Sequence, residues 1–247
     1  MERNLEELKR AKIALREQAR VVVLTGAGVS KESGVPTFRG KNGLWKEFRA
    51  QELATPEAFK RNPALVWEFY EFRRALVSRA VPNPAHVALA TLEARVPRFC
   101  LITQNVDGLH ARAGSKNILE LHGNLFRTRC LGCGVLEESF AVPIAQKLPP
   151  SCQHCGGLLR PDVVWFGEPL PAGVMNQASE EAGKCEAMLV IGTSGLVFPA
   201  AGLPGLAKDA GAFLIEINPE STPLSPMADV CLRGPAASVL PRLLQEP

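Results

Sequence analysis

The chain has 247 residues, 46% of them apolar and 21% charged. This is an ordinary globular composition that can bury a core without disulfide staples. Lys and Arg number 28 against 25 Asp and Glu, a net charge of +3, which gives no electrostatic case for nucleic acid, whose binders usually carry a dense basic stripe.

No apolar run approaches the roughly 18 residues needed to cross a bilayer. Met1 to Arg20 mixes six basic with four acidic residues, unlike a signal or transit peptide. A cytoplasmic protein is expected, with no membrane and no nucleic acid among its partners.

Leu5 to Gln18 reads as an amphipathic helix, with Leu5, Leu8, Lys12 and Leu15 on one stripe and Ile13 nearby. Val21 to Leu24 is a short all-apolar run, suited to a parallel strand buried on both faces. It ends in the glycine turn Thr25-Gly26-Ala27-Gly28-Val29-Ser30. Residues 38–79 read as mostly helical and carry Trp45, Phe48, Phe59, Trp67, Phe69 and Phe72. Pro84 to Glu93 reads as a helix capped by Asn83, with Pro84 in its first turn. Phe99 to Ile102, Met188 to Ile191 and Phe213 to Ile217 are further buried-strand candidates. They run into Thr103-Gln104-Asn105, Gly192-Thr193-Ser194 and Asn218-Pro219-Glu220. Cys130 to Cys155 reads as loop.

Strands alternating with helices predict an α/β fold with a Rossmann-like, doubly wound parallel sheet. Residues 1–37, 80–125 and 160–247 would form it. The insertions 38–79 (helical) and 126–159 (cysteine-bearing) would form a smaller second domain. Ligands in such sheets bind beyond the carboxyl ends of the strands, where this chain places Gly, Ser, Thr, Asn and Gln.

Gly26 and Gly28 permit close backbone approach to a pyrophosphate. The fingerprint is incomplete, because Val29-Ser30-Lys31 supplies no third glycine. A tight turn and a nucleotide site both fit. The cysteines are more specific. Cys130-x2-Cys133 and Cys152-x2-Cys155 are eighteen residues apart, the spacing of a four-thiolate structural zinc site. Two dithiol redox pairs are the rival. Cys100, Cys185 and Cys231 lie in or beside apolar runs and read as core thiols. His86 reads as a packed helix residue, His110 as a buttress for the loop before it, and His154 as an exposed knuckle residue.

Several motifs together resemble those of the sirtuins, a family of NAD-dependent protein lysine deacylases. They are Gly26 to Ser30, Ser33-Gly34-Val35-Pro36-Thr37-Phe38-Arg39, Thr103 to His110 and Glu120-Leu121-His122-Gly123. The resemblance continues, in family order, through the four cysteines, Val164 to Glu168, Gly192 to Ser194 and Asn218 to Glu220. Val106 stands where the family often has Ile. The resemblance implies NAD as co-substrate, one structural zinc, and acylated protein lysines as partners. It implies an NAD site lined by Gly26, Ala27, Gly28, Ser30, Phe38 and Arg39. Gln104, Asn105 and Asp107 would face the nicotinamide ribose and carboxamide. Gly192, Thr193, Ser194, Asn218 and Glu220 would hold the phosphates and adenosine, and Ala236 would lie on the adenine side.

His122 resembles the catalytic base. In the chemistry implied, the acyl oxygen displaces nicotinamide from the ribose, and the imidazole takes a proton from a ribose hydroxyl that attacks the imidate. Free lysine, nicotinamide and O-acyl-ADP-ribose result. Tyr70 and Arg73, three apart on one helix face, resemble the Tyr-x-x-Arg pair of the class that removes succinyl and malonyl groups. Val164, Phe166, Gly167 and Glu168, opposite Gly195 to Val197, resemble the edges between which a substrate peptide adds a strand. Two other functions fit parts of the pattern: transfer of ADP-ribose to protein, and a zinc ribbon acting on nucleic acid.

Overall fold

A computed structural model describes residues 2–37 and 50–245. Phe38 and Arg39, expected at the NAD site, and Trp45 and Phe48 lie outside the described residues. The chain begins with α1 (Glu2–Glu17), β1 (Arg20–Thr25) and a 3-10 turn (Ala27–Ser33). Helices α2 (Ala50–Leu53), α3 (Pro56–Arg61), α4 (Pro63–Ser78) and α5 (Pro84–Arg95) follow, then β2 (Arg98–Thr103), α6 (Leu109–Arg112) and β3 (Ile118–Glu120). Next come β4 (Gly123–Cys130), β5 (Leu136–Glu138), β6 (Leu159–Val163), α7 (Ala172–Ala182) and β7 (Ala187–Ile191). The described chain closes with α8 (Leu203–Asp209), β8 (Phe213–Ile217), β9 (Val230–Leu232) and α9 (Ala236–Leu244).

Six strands form one sheet in the order β3-β2-β1-β7-β8-β9, and every pairing in it is parallel. The chain winds outward from β1 through β2 to β3, then returns to build β7, β8 and β9 on the other side. The winding reverses between β1 and β7, which is where a doubly wound sheet opens a crevice for ligand. The four central strands are the largely apolar runs of the sequence, buried on both faces, with Glu216 of β8 buried among them and paired with Arg233 at 2.7 Å. One face packs against α1, α5 and α9 through Leu15, Leu89 and Leu240. The other packs against α7 and α8 through Ala178, Leu203 and Ala207.

On α1 the buried stripe is Ala11, Ala14 and Leu15, whereas Leu5 and Ile13 stand exposed. Leu8 packs against the same core from a half-buried position, and Lys12 is half-buried. Cys100 and Cys185 are buried, as expected of core thiols, and burial pushes them up to about 12 and about 11 respectively. Cys231 is only half-buried.

A second, antiparallel sheet has the order β5-β4-β6. It reaches past both ends of 126–159, because β4 begins at Gly123 and β6 ends at Val163. Helices α3 and α4 cover this sheet, burying Phe59, Trp67, Phe69 and Tyr70 against Leu125, Phe126 and Trp165. Trp67 Nε1 donates to the Leu159 carbonyl at 2.9 Å. Arg74 is fully buried. It pairs with Glu71 at 3.0 Å and donates to the carbonyls of Ser139 and Ala141 at 2.7 and 2.8 Å. A charge buried this deeply is tolerated because Glu71 pairs with it and main-chain carbonyls accept from both terminal nitrogens, although Nε meets Glu71 without hydrogen-bond geometry.

Candidate functional site

Five strands of the parallel sheet deliver polar residues to one rim. Gly26 to Ser30 follow β1, Gln104 to Asp107 follow β2, and His122 comes just after β3. Gly192 to Ser194 follow β7, and Asn218 follows β8. Direct bonds knit these loops together. Asn105 Nδ2 donates to the Gly26 carbonyl at 3.1 Å. Gln104 Nε2 donates to Thr193 Oγ1 at 3.0 Å, and Asn218 Nδ2 to the Thr193 carbonyl at 2.9 Å. Glu220 is exposed at the edge of this group and Ala236 is buried in the first turn of α9.

The glycines of the β1 turn have a structural reason beyond ligand approach. A Cβ on Gly28 would stand 2.7 Å from the Gly192 Cα. One on Gly26 would stand 2.8 Å from the Thr193 Cα. Gly192 itself has φ +60°, and a Cβ there would meet the Val29 nitrogen at 2.5 Å. The two loops at the winding reversal therefore touch backbone to backbone.

Ser30 is the hub of a buried polar network. The Asn83 N–H donates to His86 Nδ1 at 3.2 Å, so the neutral His86 ring carries its proton on Nε2. That Nε2 lies 3.3 Å from Ser30 Oγ, which in turn donates to Asp107 Oδ2 at 2.7 Å. Asp107 Oδ1 accepts from the Leu109 N–H at 2.9 Å. Burial raises the Asp107 carboxyl, opposed by the Leu109 and Ser30 hydrogen bonds and by the Arg73 charge. His110 lies against His86 with ring centroids 4.8 Å apart, and its Nε2 is 3.0 Å from Thr25 Oγ1. His86 is thus both a packed helix residue and a member of the network. Sequence reasoning missed that second part, and the spacing of Asn83 and His86 at a helix start was the one signal available for it.

His122 is half-buried. Its Nδ1 lies 2.8 Å from the Gln104 carbonyl, and its own carbonyl accepts from the Val164 N–H at 2.9 Å. Burial lowers its pKa, and the Gln104 bond opposes that shift.

Arg73 and Tyr70 are both buried on α4. Arg73 lines a cavity together with Ser30, Asn105, Val106 and Asp107. Its guanidinium carbon is 5.6 Å from the centre of the Tyr70 ring. Tyr70 Oη accepts from Trp165 Nε1 at 3.0 Å. Arg160 lies 3.5 Å over the Trp165 ring and holds Glu168 through two bonds of 2.6 and 2.9 Å. Val164 is half-buried, whereas Phe166 and Gly167 are exposed, as are Leu196, Val197 and Phe198.

Cys130, Cys133, Cys152 and Cys155 converge with all four sulfurs within 4.8 Å of one another. Cys130 and Cys155 are 3.5 Å apart, and Cys133 and Cys152 3.8 Å. Four sulfurs at about 2.3 Å from a tetrahedral zinc would be roughly 3.8 Å apart, so the donor set fits that ion. The Cys133 and Gly132 amides point at the Cys130 sulfur from 3.4 and 3.3 Å. These amide bonds favour the charged form of the Cys130 sulfur and lower its pKa, toward the thiolate a metal needs.

A family model described as the Sir2 family matches residues 26–199. The chain belongs to the Sir2 family. Among curated sirtuin relatives, an NAD-dependent protein deacylase of Aquifex aeolicus is 52% identical over 227 residues, covering 92% of this chain and 95% of its own. One of Pyrococcus furiosus is 53% identical over 237 residues, covering 94% of each. Another, of Thermus thermophilus, is 51% identical over 244 residues, covering 97% and 95%. The chain superposes on a Sir2 homologue–NAD complex with TM-score 0.89 at 49% identity, covering 96% and 92%. It superposes on a Sir2–p53 peptide–NAD+ complex with TM-score 0.86 at 33% identity, covering 96% and 97%. Among the described residues, no helix of this Sir2 chain is long and apolar enough to cross a membrane.

Proposed function

We propose that the chain is an NAD-dependent protein-lysine deacylase with His122 as its general base, acting on succinyl- and malonyl-lysine as well as acetyl-lysine. One observation carries the reading. His122 Nδ1 is engaged by the Gln104 carbonyl on the rim of the parallel sheet, which leaves Nε2 to accept a proton. NAD supplies the electrophilic sugar carbon and a leaving group that departs neutral. The loops 26–30 and 192–194 would hold its phosphates, with Asn218 and Glu220 beside the adenosine and Ala236 on the adenine side. Ser30, Asn105 and Asp107 would meet the nicotinamide end in the cavity that they share with Arg73. Phe166 and Gly167 on one side and Leu196 to Phe198 on the other offer the exposed edges for a peptide strand, whose backbone bonds would give affinity with modest sequence preference.

Arg73 supports the acyl preference. Its guanidinium is nine-tenths buried at the cavity wall, where a carboxylate ending the acyl chain would meet it in a two-pronged geometry. A hydrogen bond to a charged group is worth about 1.5–3 kcal/mol, or about 10- to 100-fold in rate.

The test is incubation with NAD and peptides bearing acetyl, malonyl, succinyl and glutaryl lysine, with both products weighed by mass spectrometry. His122→Ala is expected to bind NAD and make no product. Arg73→Met is expected to lose desuccinylation about 10- to 100-fold more than deacetylation. Equal losses on both substrates remove Arg73 from acyl selection. Label from NAD retained on the acceptor protein indicates ADP-ribose transfer instead.

A further inference from the structure

The parallel and antiparallel sheets are joined by a crossing of two residues, Leu121 and His122, between the end of β3 and the start of β4. This crossing is tied in two directions. The Leu121 N–H donates to the Thr103 carbonyl at 3.0 Å, and the His122 ring is held by Gln104, both at the end of β2. The His122 carbonyl accepts from Val164, just past β6. The next residue, Gly123, has φ +80° and is pressed so closely on the Asp162 carbonyl that a Cβ would lie 2.1 Å from it. The aim of the imidazole therefore depends on how one sheet is set against the other.

One side chain bridges the two sheets beside this crossing. Arg127, on β4, pairs with Glu120 of β3 at 3.2 Å and with Asp162 of β6 through its Nε. Arg129 holds the other oxygen of Asp162 from 2.9 Å, and Asn124 Nδ2 holds the other oxygen of Glu120 from 2.6 Å. Both acids are mostly shielded, with side-chain exposures of 20% and 10%, so salt screens the cluster less than it would a surface pair. The mechanism derived above makes no use of these residues.

We propose that Arg127, clamped between Glu120 of the parallel sheet and Asp162 of the antiparallel sheet, is a positioning residue that fixes the direction of the His122 ring. The proposal rests on the reading of His122 as the base. Without the clamp the sheets shift against each other, the crossing turns, and the bond from His122 Nδ1 to Gln104 lengthens.

The experiment compares the parent enzyme with Arg127→Met, Arg127→Lys, Glu120→Gln and His122→Ala, each checked for zinc content and thermal midpoint. Steady-state kinetics with NAD and an acyl-lysine peptide are followed across pH. In Arg127→Met, kcat is expected to fall about 10- to 100-fold, the scale of a small misplacement of a reacting group, with KM for NAD within about twofold. Its acid limb should move to lower pH, because the Gln104 bond that raises the His122 pKa is weakened. Arg127→Lys should recover part of the loss. A zinc-loaded Arg127→Met with unchanged kcat, a loss confined to KM, or a Lys variant no better than Met overturns the proposal. If Arg127→Met does not fold, Glu120→Gln decides: unchanged kcat overturns the proposal, and a lowered kcat with a shifted acid limb supports it. Activity in His122→Ala would overturn the reading of the base itself, an outcome separate from any result at Arg127.

Discussion

The Nδ1 atom of His122 and the main-chain oxygen of Gln104 are 2.8 Å apart. A carbonyl only accepts, so the neutral ring keeps its proton on Nδ1 and presents a bare Nε2. Burial lowers the pKa of this ring. The proposed base would work in its unprotonated form, so activity is expected to be lost as pH falls through that pKa. The acid limb of kcat/KM is expected below about pH 6.5, the value of an unperturbed histidine. A pH–rate profile checks this, and an acid limb above neutrality contradicts it.

Ser30→Ala removes the hydroxyl that receives His86 and Asn105 and donates to Asp107. Each buried group left without its partner costs about 1–3 kcal/mol. The variant should lose about 2–4 kcal/mol of stability by urea titration. Because Asn105 and Asp107 line the proposed nicotinamide end, its affinity for NAD should fall too. Parental NAD affinity measured by calorimetry would separate the network from the cofactor site.

His86 and His110 are buried as neutral rings, their pKa values lowered by burial to about 4 and about 3, with His86 itself depressing His110 further. In the unfolded chain both titrate near 6.5. Between that value and the folded values the unfolded state binds more protons, so stability is full above pH 6.5 and declines as pH falls. The loss between pH 7 and pH 5 is about 2 kcal/mol for each ring. Urea midpoints at the two pH values measure it. In His86→Asn the dependence should be shallower by about half. An unchanged slope would show that His86 is not buried neutral.

Stripping the metal is expected to undo the antiparallel sheet, since Cys130 and Cys152 belong to the same core as Trp67 and Trp165. Strong chelation should release four reactive thiols and abolish turnover, with activity returning on zinc addition. The parallel sheet has its own two cores and should keep its helical circular dichroism. Full activity in metal-free protein would rule out a structural dependence of His122 on this sheet.

The parts of the fold that were legible in the sequence were those with an uninterrupted signal. β1, β2 and β7 have apolar runs because they are covered on both faces, and β8 keeps that signal apart from Glu216, which is buried against Arg233. β3 and β9 have three residues each, too few for a pattern. β4 alternates in burial only over Phe126 to Cys130, because Leu125 and Phe126 are both buried where its register with β6 shifts between Gly123 and Thr128. The four cysteines were legible because metal geometry constrains their spacing. The contact of Gly28 with Gly192 and the bond of His86 to Ser30 were not, since each joins residues far apart in the chain. Tyr70 and Arg73 were legible as a pair on one helix face. Only the fold shows that the cavity beside Arg73 is also lined by Asn105 and Asp107.

Trp67, Trp165 and Tyr70, the chain's only tyrosine, all sit in the core beneath the zinc-ligating sheet. Of the three tryptophans only Trp45 lies outside the described residues. These chromophores make the molecule an unevenly lit object: their fluorescence registers the melting of one lobe, while backbone ellipticity is dominated by the helices around the other. Heating curves recorded by the two signals on one sample would coincide only if the lobes come apart together, so the gap between them measures, without any added dye, how tightly the lobes are yoked.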